Sequence, residues 1–299
     1  MYYTGFADEA AVDIDNQIKA TKELGWEYIE SRNINGKNIH DISDEDFEIV
    51  AGKLEDAGVK VNCFGSRVAN WGKHPLKEED FQLCIEELNR AIPRMQRLGT
   101  KMLRGMSFAI EKERAPDDIE VEKNVIEKLK KLTGICADAG IDYMHENCMN
   151  FGGQSPQHSL KLVEGVDMSN FKLLYDTGNP PMTDLRLGSV PYKKQNSWDF
   201  YKSIKEHIAY VHIKDAVFKK ETGGAFPEAE FTYPGEGDGD VRRIVKDLLD
   251  TGYDGGFSME PHLQVVFHEA EGESKEDAMY KSYVEYGRRF MKIVEECRS

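Results

Sequence analysis

Four apolar stretches in the second half of the chain each carry a residue that can bind a metal ion. The stretches IDYMHE, FKLLYD, AYVHI and GGFSME contain Glu146, Asp176, His212 and Glu260 at or next to their ends. Taken singly, these residues could be surface or turn acids and a core histidine. Packed together, three carboxylates and an imidazole would repel one another and lose hydration unless a cation compensated them. The set therefore predicts a divalent metal site.

The composition of this set limits the choice of ion. Two Glu, one Asp and one His supply oxygen and nitrogen ligands, which suit Mn²⁺, Mg²⁺, Co²⁺ or Zn²⁺. We expect one divalent ion, with Mn²⁺ first and the other three open. On this interpretation Asp176 ends its strand because its carboxylate is a ligand, and the following Thr-Gly-Asn-Pro-Pro turn directs the chain away from the site.

The elements that must position these residues follow a regular order. Short apolar runs alternate with longer segments whose apolar residues recur at three- and four-residue spacing, the pattern of β/α units. Eight strands are predicted: Tyr2–Ala7, Trp26–Ser31, Lys60–Gly65, Lys101–Met106, Ile141–Glu146, Lys172–Asp176, Ala209–Lys214 and Gly255–Glu260.

Eight such units without a break in composition predict a single (β/α)8 TIM barrel with a parallel eight-stranded core, forming one domain over residues 1–299. An open doubly wound sheet is disfavoured because no G-x-G-x-x-G turn occurs. Active sites on barrels lie at the carboxyl ends of the strands. The four predicted ligands belong to the last four strands, so their side chains are expected to converge.

Charge and cysteine content exclude several classes of protein. The chain has 54 acidic and 39 basic residues, a formal charge of −15, which repels nucleic acid and anionic membranes. Five widely spaced cysteines form no C-x-x-C pair and indicate reduced thiols. The chain opens with no signal-like segment and has no apolar run of membrane-spanning length, so we expect a cytoplasmic protein.

The segments Glu146-Asn147, LLYDTGN, VHIKD and SMEPH occur in this order along the chain. Together they resemble the xylose isomerase-like TIM barrels of the sugar phosphate isomerase/epimerase superfamily. The resemblance implies that the four strand-end residues bind one divalent ion, and that Glu146 and Glu260 are the pair that transfers protons. It also implies a small-molecule carbohydrate as the substrate.

The chemistry of such a site begins with a hydrogen on the carbon next to a carbonyl. That hydrogen becomes removable when a metal ion stabilises the enediolate as a Lewis acid. Returning the proton gives epimerisation or ketose–aldose isomerisation, whereas loss of a β-hydroxyl gives dehydration. We expect a metal-dependent sugar isomerase or epimerase, with a dehydratase or lyase acting on a keto-sugar or inosose as the alternative.

Five further residues are predicted to contact substrate: Arg104, Lys214, Asn179, His145 and, at the rim, Trp71. Arg104 and Lys214 could instead pair with the acids of the barrel. Asn179 departs from the resemblance, since many epimerase-type relatives carry histidine three residues after the aspartate, where it touches substrate. This departure leaves the substrate class open.

The segment of residues 216–240, after the seventh strand, is long and aromatic, with Phe218, Phe226, Phe231 and Tyr233. It is predicted to cover the site or to support a dimer contact, so a homo-oligomer stays open. An endonuclease IV-like repair enzyme shares the barrel but resembles a histidine-rich, three-metal site in a basic groove. Eight His and the charge of −15 oppose that alternative. A binding protein without turnover also remains an alternative.

Overall fold

Eight parallel strands surround a common axis in the computed structural model, which describes residues 1–221, 228–263 and 274–298. The strands are β1 Tyr2–Gly5, β2 Tyr28–Ser31, β3 Lys60–Gly65, β4 Met102–Gly105, β5 Asp142–Glu146, β6 Phe171–Asp176, β7 Ile208–Ile213 and β8 Gly256–Met259. All eight predicted strands are present, and their ends differ from the prediction by no more than two residues.

The strands pair in the order β1-β8-β7-β6-β5-β4-β3-β2. Between β1 and β2 a single parallel bridge, from Phe6 to Glu30, completes the circle. The predicted (β/α)8 barrel is therefore confirmed. This junction of β1 and β2, the seam of the barrel, brings the end of β2 beside the ends of β7 and β8.

In the part of the chain that the structure describes, eight helices of eight or more residues surround the sheet: α1 Ile14–Glu23, α2 Asp44–Ala57, α3 Glu78–Leu98, α4 Ile119–Asp138, α5 Pro156–Val166, α6 Ser197–Ile204, α7 Val241–Asp250 and α8 Lys275–Arg298. Ser43 caps α2 by accepting a hydrogen bond from the amide of Asp46. Gly58 and Gly99 end α2 and α3 in the left-handed conformation, which glycine adopts without steric cost.

Side-chain alternation along the strands decides which residues reach the interior of the barrel. Met144, Leu174 and Tyr210 belong to one small cluster of buried side chains, separate from the larger core between sheet and helices. Because successive side chains on a strand face opposite sides, the residue two positions later shares this face. On β5, β6 and β7 those residues are Glu146, Asp176 and His212, respectively.

Loops at the carboxyl ends of the strands form the upper surface of the barrel. After β6 the chain makes one short helix, Asn179–Met182, and after β7 it makes a hairpin of strands Ala216–Lys220 and Glu228–Phe231. Asp215 anchors the base of the hairpin segment by accepting hydrogen bonds from the amides of Gly235, Gly237 and Gly239. Within the described residues, every helix is too short or too polar to cross a bilayer.

Candidate metal centre and active site

The four predicted ligands meet at one point inside the carboxyl end of the barrel. One ligand atom from each of Glu146, Asp176, His212 and Glu260 lies within 4.8 Å of the others, and all four residues are buried. Nδ1 of His212 lies 3.9 Å from Glu146 Oε1, 4.0 Å from Asp176 Oδ2 and 3.4 Å from Glu260 Oε2. The structure thus brings together the set that the sequence analysis selected.

Two atoms at this point are suited to a cation. Asp176 Oδ1 accepts hydrogen bonds of 2.8 Å from the amides of Gly178 and Asn179, which leaves Oδ2 turned toward the centre. Asp176 Oδ2 and His212 Nδ1 are buried, and neither makes a hydrogen bond with acceptable geometry to any described residue. Two unsatisfied buried acceptors facing two glutamates fit a divalent ion with mixed oxygen and nitrogen ligands.

Two cations lie against the carboxylates of this cluster. Lys214 Nζ lies 3.1 Å from Asp176 Oδ2 and 3.3 Å from Glu260 Oε2, and Arg104 Nη1 lies 3.1 Å from Glu146 Oε2. Burial opposes the charge on Lys214, but the charges of Asp176, Glu260 and Glu146 together outweigh burial and raise the pKa of Lys214. Arg104 and Lys214 therefore pair with the acids of the barrel, one of the two alternatives that the sequence left open.

The second oxygen of Glu260 is held from the opposite side. Arg32 Nη1 lies 3.4 Å and His262 Nε2 lies 3.2 Å from Glu260 Oε1. Glu9 in turn lies 2.8 Å from His262 Nδ1 and 3.0 Å from Arg32 Nη2. Burial works against ionisation of Glu260, but the ammonium of Lys214 and the imidazole of His262 outweigh it and hold its pKa well below the usual range. Glu260 is thus a carboxylate with each oxygen in a fixed position.

Burial has the opposite result at Asp176, whose pKa it raises to about 7. The charge of Lys214 lowers the pKa of Asp176, but the neighbouring charges of Glu260 and Glu146 act with burial. A proton or a cation at this centre relieves the repulsion among the three carboxylates. Such repulsion among buried carboxylates is typical of a site that binds a cation.

Glu30 is a buried residue next to His212 that the sequence analysis did not select. Its Oε2 lies 2.9 Å from His212 Nε2 and accepts a 2.7 Å hydrogen bond from the hydroxyl of Tyr210. Burial alone would lower the pKa of His212, but the carboxylates of Glu30, Glu260 and Glu146 together outweigh it and raise that pKa to about 10. A carboxylate behind an imidazole that faces a cluster of ligands is the usual arrangement around a metal-binding histidine.

An open cavity of about 570 Å³ lies above the four ligands. Glu146 and Glu260 form part of its floor, and four of the predicted substrate residues line it: Trp71, Arg104, Asn179 and Lys214. Its lining also includes His262, which the sequence analysis did not select. Ligand sites of this size, mostly apolar with a few convergent polar groups, are typical of enzymes that bind small molecules.

His145 is the predicted substrate residue that the structure separates from the cavity. It directly precedes Glu146 on β5, so it faces the helices rather than the interior. Its Nε2 lies 2.9 Å from Ser107 Oγ, and burial lowers its pKa to about 3. In the structure His145 is therefore a neutral, buried histidine between the barrel sheet and the surrounding helices. It does not line the cavity.

Residues 18–282 match the family model described as Xylose isomerase-like TIM barrel. The chain belongs to the xylose isomerase-like TIM barrel family. The match confirms the resemblance that was drawn from LLYDTGN, VHIKD and SMEPH.

One sequence relative is an inosose dehydratase from Bacillus licheniformis, 28% identical over 170 residues. The match covers 54% of this chain and 53% of that protein, so the chain spans about half the length of this curated relative.

Two solved structures share the fold of this family member over nearly their whole length. One is a xylose isomerase-like TIM barrel protein from Mycobacterium smegmatis in complex with magnesium, with a TM-score of 0.65, 15% identity and coverage of 98% of this chain and 97% of that one. The other is D-psicose 3-epimerase with D-tagatose from Clostridium cellulolyticum H10, with a TM-score of 0.66, 16% identity and coverage of 97% and 99%. At these identities they establish the fold alone.

Asn179 and part of the aromatic segment after β7 both line the cavity. Asn179 donates hydrogen bonds from Nδ2 to Glu146 Oε1 at 3.2 Å and to the Asn147 carbonyl at 2.9 Å, so it touches a predicted ligand. From the aromatic segment after β7, Phe231 lines the cavity. Phe226, also predicted to cover the site, lies outside the described residues.

Proposed function

We propose that this chain is a divalent-metal-dependent sugar isomerase or epimerase that moves a proton on the carbon next to a carbonyl. The observation that supports this proposal is the placement of two glutamates at one centre. Glu146 and Glu260 come from β5 and β8, with Asp176 and His212 on the two strands between them. They therefore approach the centre from different sides of the barrel.

Glu146, Asp176, His212 and Glu260 would hold the ion, and we expect Mn²⁺ first, with Mg²⁺, Co²⁺ and Zn²⁺ as alternatives. When bound, the ion supplies Lewis-acid stabilisation of negative charge on the oxygens of a substrate. The magnesium in complex with the structurally similar Mycobacterium smegmatis protein supports a divalent ion as the ligand of this chain. The two buried acceptors described above, Asp176 Oδ2 and His212 Nδ1, support it independently.

The residues of the chain would perform the proton transfer. One of the two glutamates would remove the proton from the carbon, and the other would return one from the opposite face. Arg104 fixes one oxygen of Glu146, and Arg32 and His262 fix one oxygen of Glu260. The buried ammonium of Lys214 would donate a hydrogen bond to a substrate hydroxyl or carbonyl oxygen. Fixed groups of this kind need no reorganisation during the reaction.

A small carbohydrate is the proposed substrate. The cavity reaches Glu146 and Glu260 directly and carries several hydrogen-bonding groups at its floor. D-tagatose in the related D-psicose 3-epimerase supports a ketose or keto-sugar as the ligand of this cavity. A net charge of −15 opposes nucleic acid as a partner.

A dehydratase acting on a keto-sugar or inosose is the second candidate, and two observations favour it. The relative from Bacillus licheniformis is an inosose dehydratase. In addition, Lys214 places a charged donor at the floor of the cavity, where it would protonate a departing hydroxyl after a glutamate removes the neighbouring proton. Both candidates begin with the same proton abstraction. An isomerase or epimerase then returns a proton to carbon, whereas a dehydratase expels the β-hydroxyl group.

One experiment tests the proposal and separates the two candidates. Protein loaded with Mn²⁺ is incubated in D₂O with a panel of ketoses, a 3-keto-hexose and an inosose, and incorporation of deuterium at carbon is followed by NMR. Either enzyme should incorporate label, whereas a protein that only binds should not. Appearance of an ultraviolet-absorbing unsaturated product identifies the dehydratase. A panel without any label in any compound would contradict the proposed function.

A further inference from the structure

The cavity above the metal centre divides into a polar floor and an apolar upper wall. The floor consists of residues at or just after strand ends, such as Glu146, Glu260 and Lys214, each no more than 4% exposed. The upper wall comes from the loops beyond those ends, and apart from Glu228 it is apolar. Its members are Trp71, Cys148, Met149, Met182, Ala229 and Phe231.

The apolar wall is built from separate segments that the fold holds in place. Met182 ends the short helix that begins at Asn179, and Phe231 ends the second strand of the hairpin. The ring of Phe231 packs edge-on against His262, with 5.1 Å between the ring centroids. This contact joins the wall directly to a residue that holds Glu260. One ligand molecule in the cavity would therefore contact both the apolar wall and the glutamates.

The volume of the cavity is larger than that of a monosaccharide. A hexose has about twelve non-hydrogen atoms, and even at the roughly 30 Å³ that each water occupies in the liquid it fills at most about 360 Å³. The cavity measures about 570 Å³, so roughly a third of it would stay unfilled. The remaining space lies toward the loops, since the sugar must contact the glutamates at the floor.

We propose that the substrate of this site is a keto-sugar or keto-polyol that carries an apolar substituent, such as the aglycone of a glycoside. The sugar would occupy the polar floor, and the substituent would lie against Met182, Phe231 and Trp71. A second sugar ring does not suit the chemistry of this wall, because its hydroxyls would lose hydration against a surface with few polar partners. This inference rests on the proposed function, since it requires the sugar to react at the floor.

The test compares three 3-keto-sugars with the same reacting ring: the methyl glycoside, the benzyl glycoside and a disaccharide. Methanol and benzyl alcohol have similar acidity, so the first two compounds differ mainly in apolar area. Dissociation constants are measured by titration calorimetry on protein loaded with Mn²⁺. The benzyl compound should bind about tenfold more tightly than the methyl compound, because burial of a phenyl ring exceeds the cost of ordering it. The disaccharide should not share this gain.

Variants locate the effect in the wall. Met182→Ser and Phe231→Ser should each reduce the ratio of the two dissociation constants toward one. Ile119→Ser, at an exposed residue of α4 that does not line the cavity, should keep the ratio. Equal binding of the methyl and benzyl compounds, or binding of the disaccharide as tight as that of the benzyl compound, would overturn this inference. If the methyl glycoside exchanges deuterium while binding is equal, the proposed function survives; if none of the compounds exchanges, the proposed function fails instead.

Discussion

The carboxylate of Glu30 lies 2.9 Å from Nε2 of His212, on the side of the imidazole ring away from the other predicted ligands. The pairing joins β2 to β7 across the seam of the barrel and is completely buried. It fixes the orientation of the ring, so that Nδ1 faces Glu146, Asp176 and Glu260. Glu30 is therefore a positioning residue that would act on the ion through His212.

Replacing Glu30 by Gln should weaken metal binding without removing a ligand. Loss of the negative charge behind His212 lowers the basicity of Nδ1, and changes of this kind cost about 10- to 100-fold in metal affinity. The measurement is the dissociation constant for Mn²⁺ by titration calorimetry on protein stripped of metal.

Glu87→Gln is the matched control for this substitution. Glu87 is also buried, and its carboxylate lies 3.1 Å from Lys73 Nζ, but it does not line the cavity. Its replacement should lower stability, because it leaves Lys73 without its charge partner, and should leave the affinity for Mn²⁺ unchanged. If Glu30→Gln bound Mn²⁺ as tightly as the unaltered protein, Glu30 would have no positioning role.

Glu146→Gln and Glu260→Gln test the proton-transfer pair. Each variant should lose about 10²- to 10⁴-fold in the rate of deuterium exchange, the usual contribution of a positioned acid or base. Because Gln keeps the size and part of the hydrogen bonding of Glu, the far-ultraviolet circular dichroism should change little. If Glu260→Gln exchanged at the full rate, its assigned role would be wrong.

Asp176→Ala and His212→Ala test the ligands that have no proposed role in proton transfer. Each removes one of the four donors at the centre, so metal content after purification should fall from one ion per chain toward zero. Elemental analysis of protein dialysed against buffer measures this directly. Retention of a full equivalent of metal in both variants would place the ion somewhere else.

The ligands themselves could be predicted because they follow a local rule. Asp176 and His212 each come two residues after an inward-facing residue, Leu174 and Tyr210, on strands whose pattern identifies a barrel. The same alternation explains why His145 faces away from the cavity, since it is one residue out of phase with Glu146. The alternation of side chains along β5 is therefore sufficient to exclude His145 from the interior of the barrel on sequence alone.

The positioning residues could not be predicted, because their contacts join distant parts of the chain. Glu30 and His212 are separated by 182 residues, and Glu9 and His262 by 253. No local pattern distinguishes a buried Glu30 in YIES from an exposed strand acid. Its role follows only from the closure of the barrel between β1 and β2, which brings the end of β2 beside β7.

The stability of the fold should depend on pH through His40, a buried residue next to α2 and far in sequence from the ligands. Burial lowers the pKa of His40 to about 4, although Asp41, at 3.1 Å from Nδ1, acts in the opposite direction. In the unfolded chain the pKa of histidine is about 6.5. As the pH falls from about 6.5 to about 4, the unfolded chain gains a proton that folded His40 does not, and stability is lost.

Urea unfolding at pH 6.5 and pH 5.5 measures this effect. Over this interval His40 should account for a loss of about 1 kcal/mol in the free energy of unfolding. His40→Gln should be less stable at neutral pH, because the site is fitted to an imidazole, but should lose about 1 kcal/mol less over the same interval. An identical loss in both proteins would show that His40 does not titrate differently in the two states.

Removal of the ion should destabilise the protein reversibly. An ion at about 100 times its dissociation constant stabilises the folded state by about 2.7 kcal/mol. In a chain of this size that corresponds to roughly 4 °C in the unfolding temperature. Calorimetry with and without EDTA measures the shift, and added Mn²⁺ should restore both the temperature and deuterium exchange.

The Asp176→Ala variant serves as the control for this shift, because a centre without that ligand should respond weakly to EDTA. The shift in unfolding temperature should also shrink as the pH falls, because protons compete with the ion for Asp176 and His212. Burial raises the pKa of Asp176 to about 7. Against burial, the charges of Glu30 and the other nearby carboxylates raise the pKa of His212 to about 10. An unfolding temperature that EDTA leaves unchanged at every pH would mean that the four side chains at this centre do not bind an ion, and that the surrounding basic side chains balance their charge.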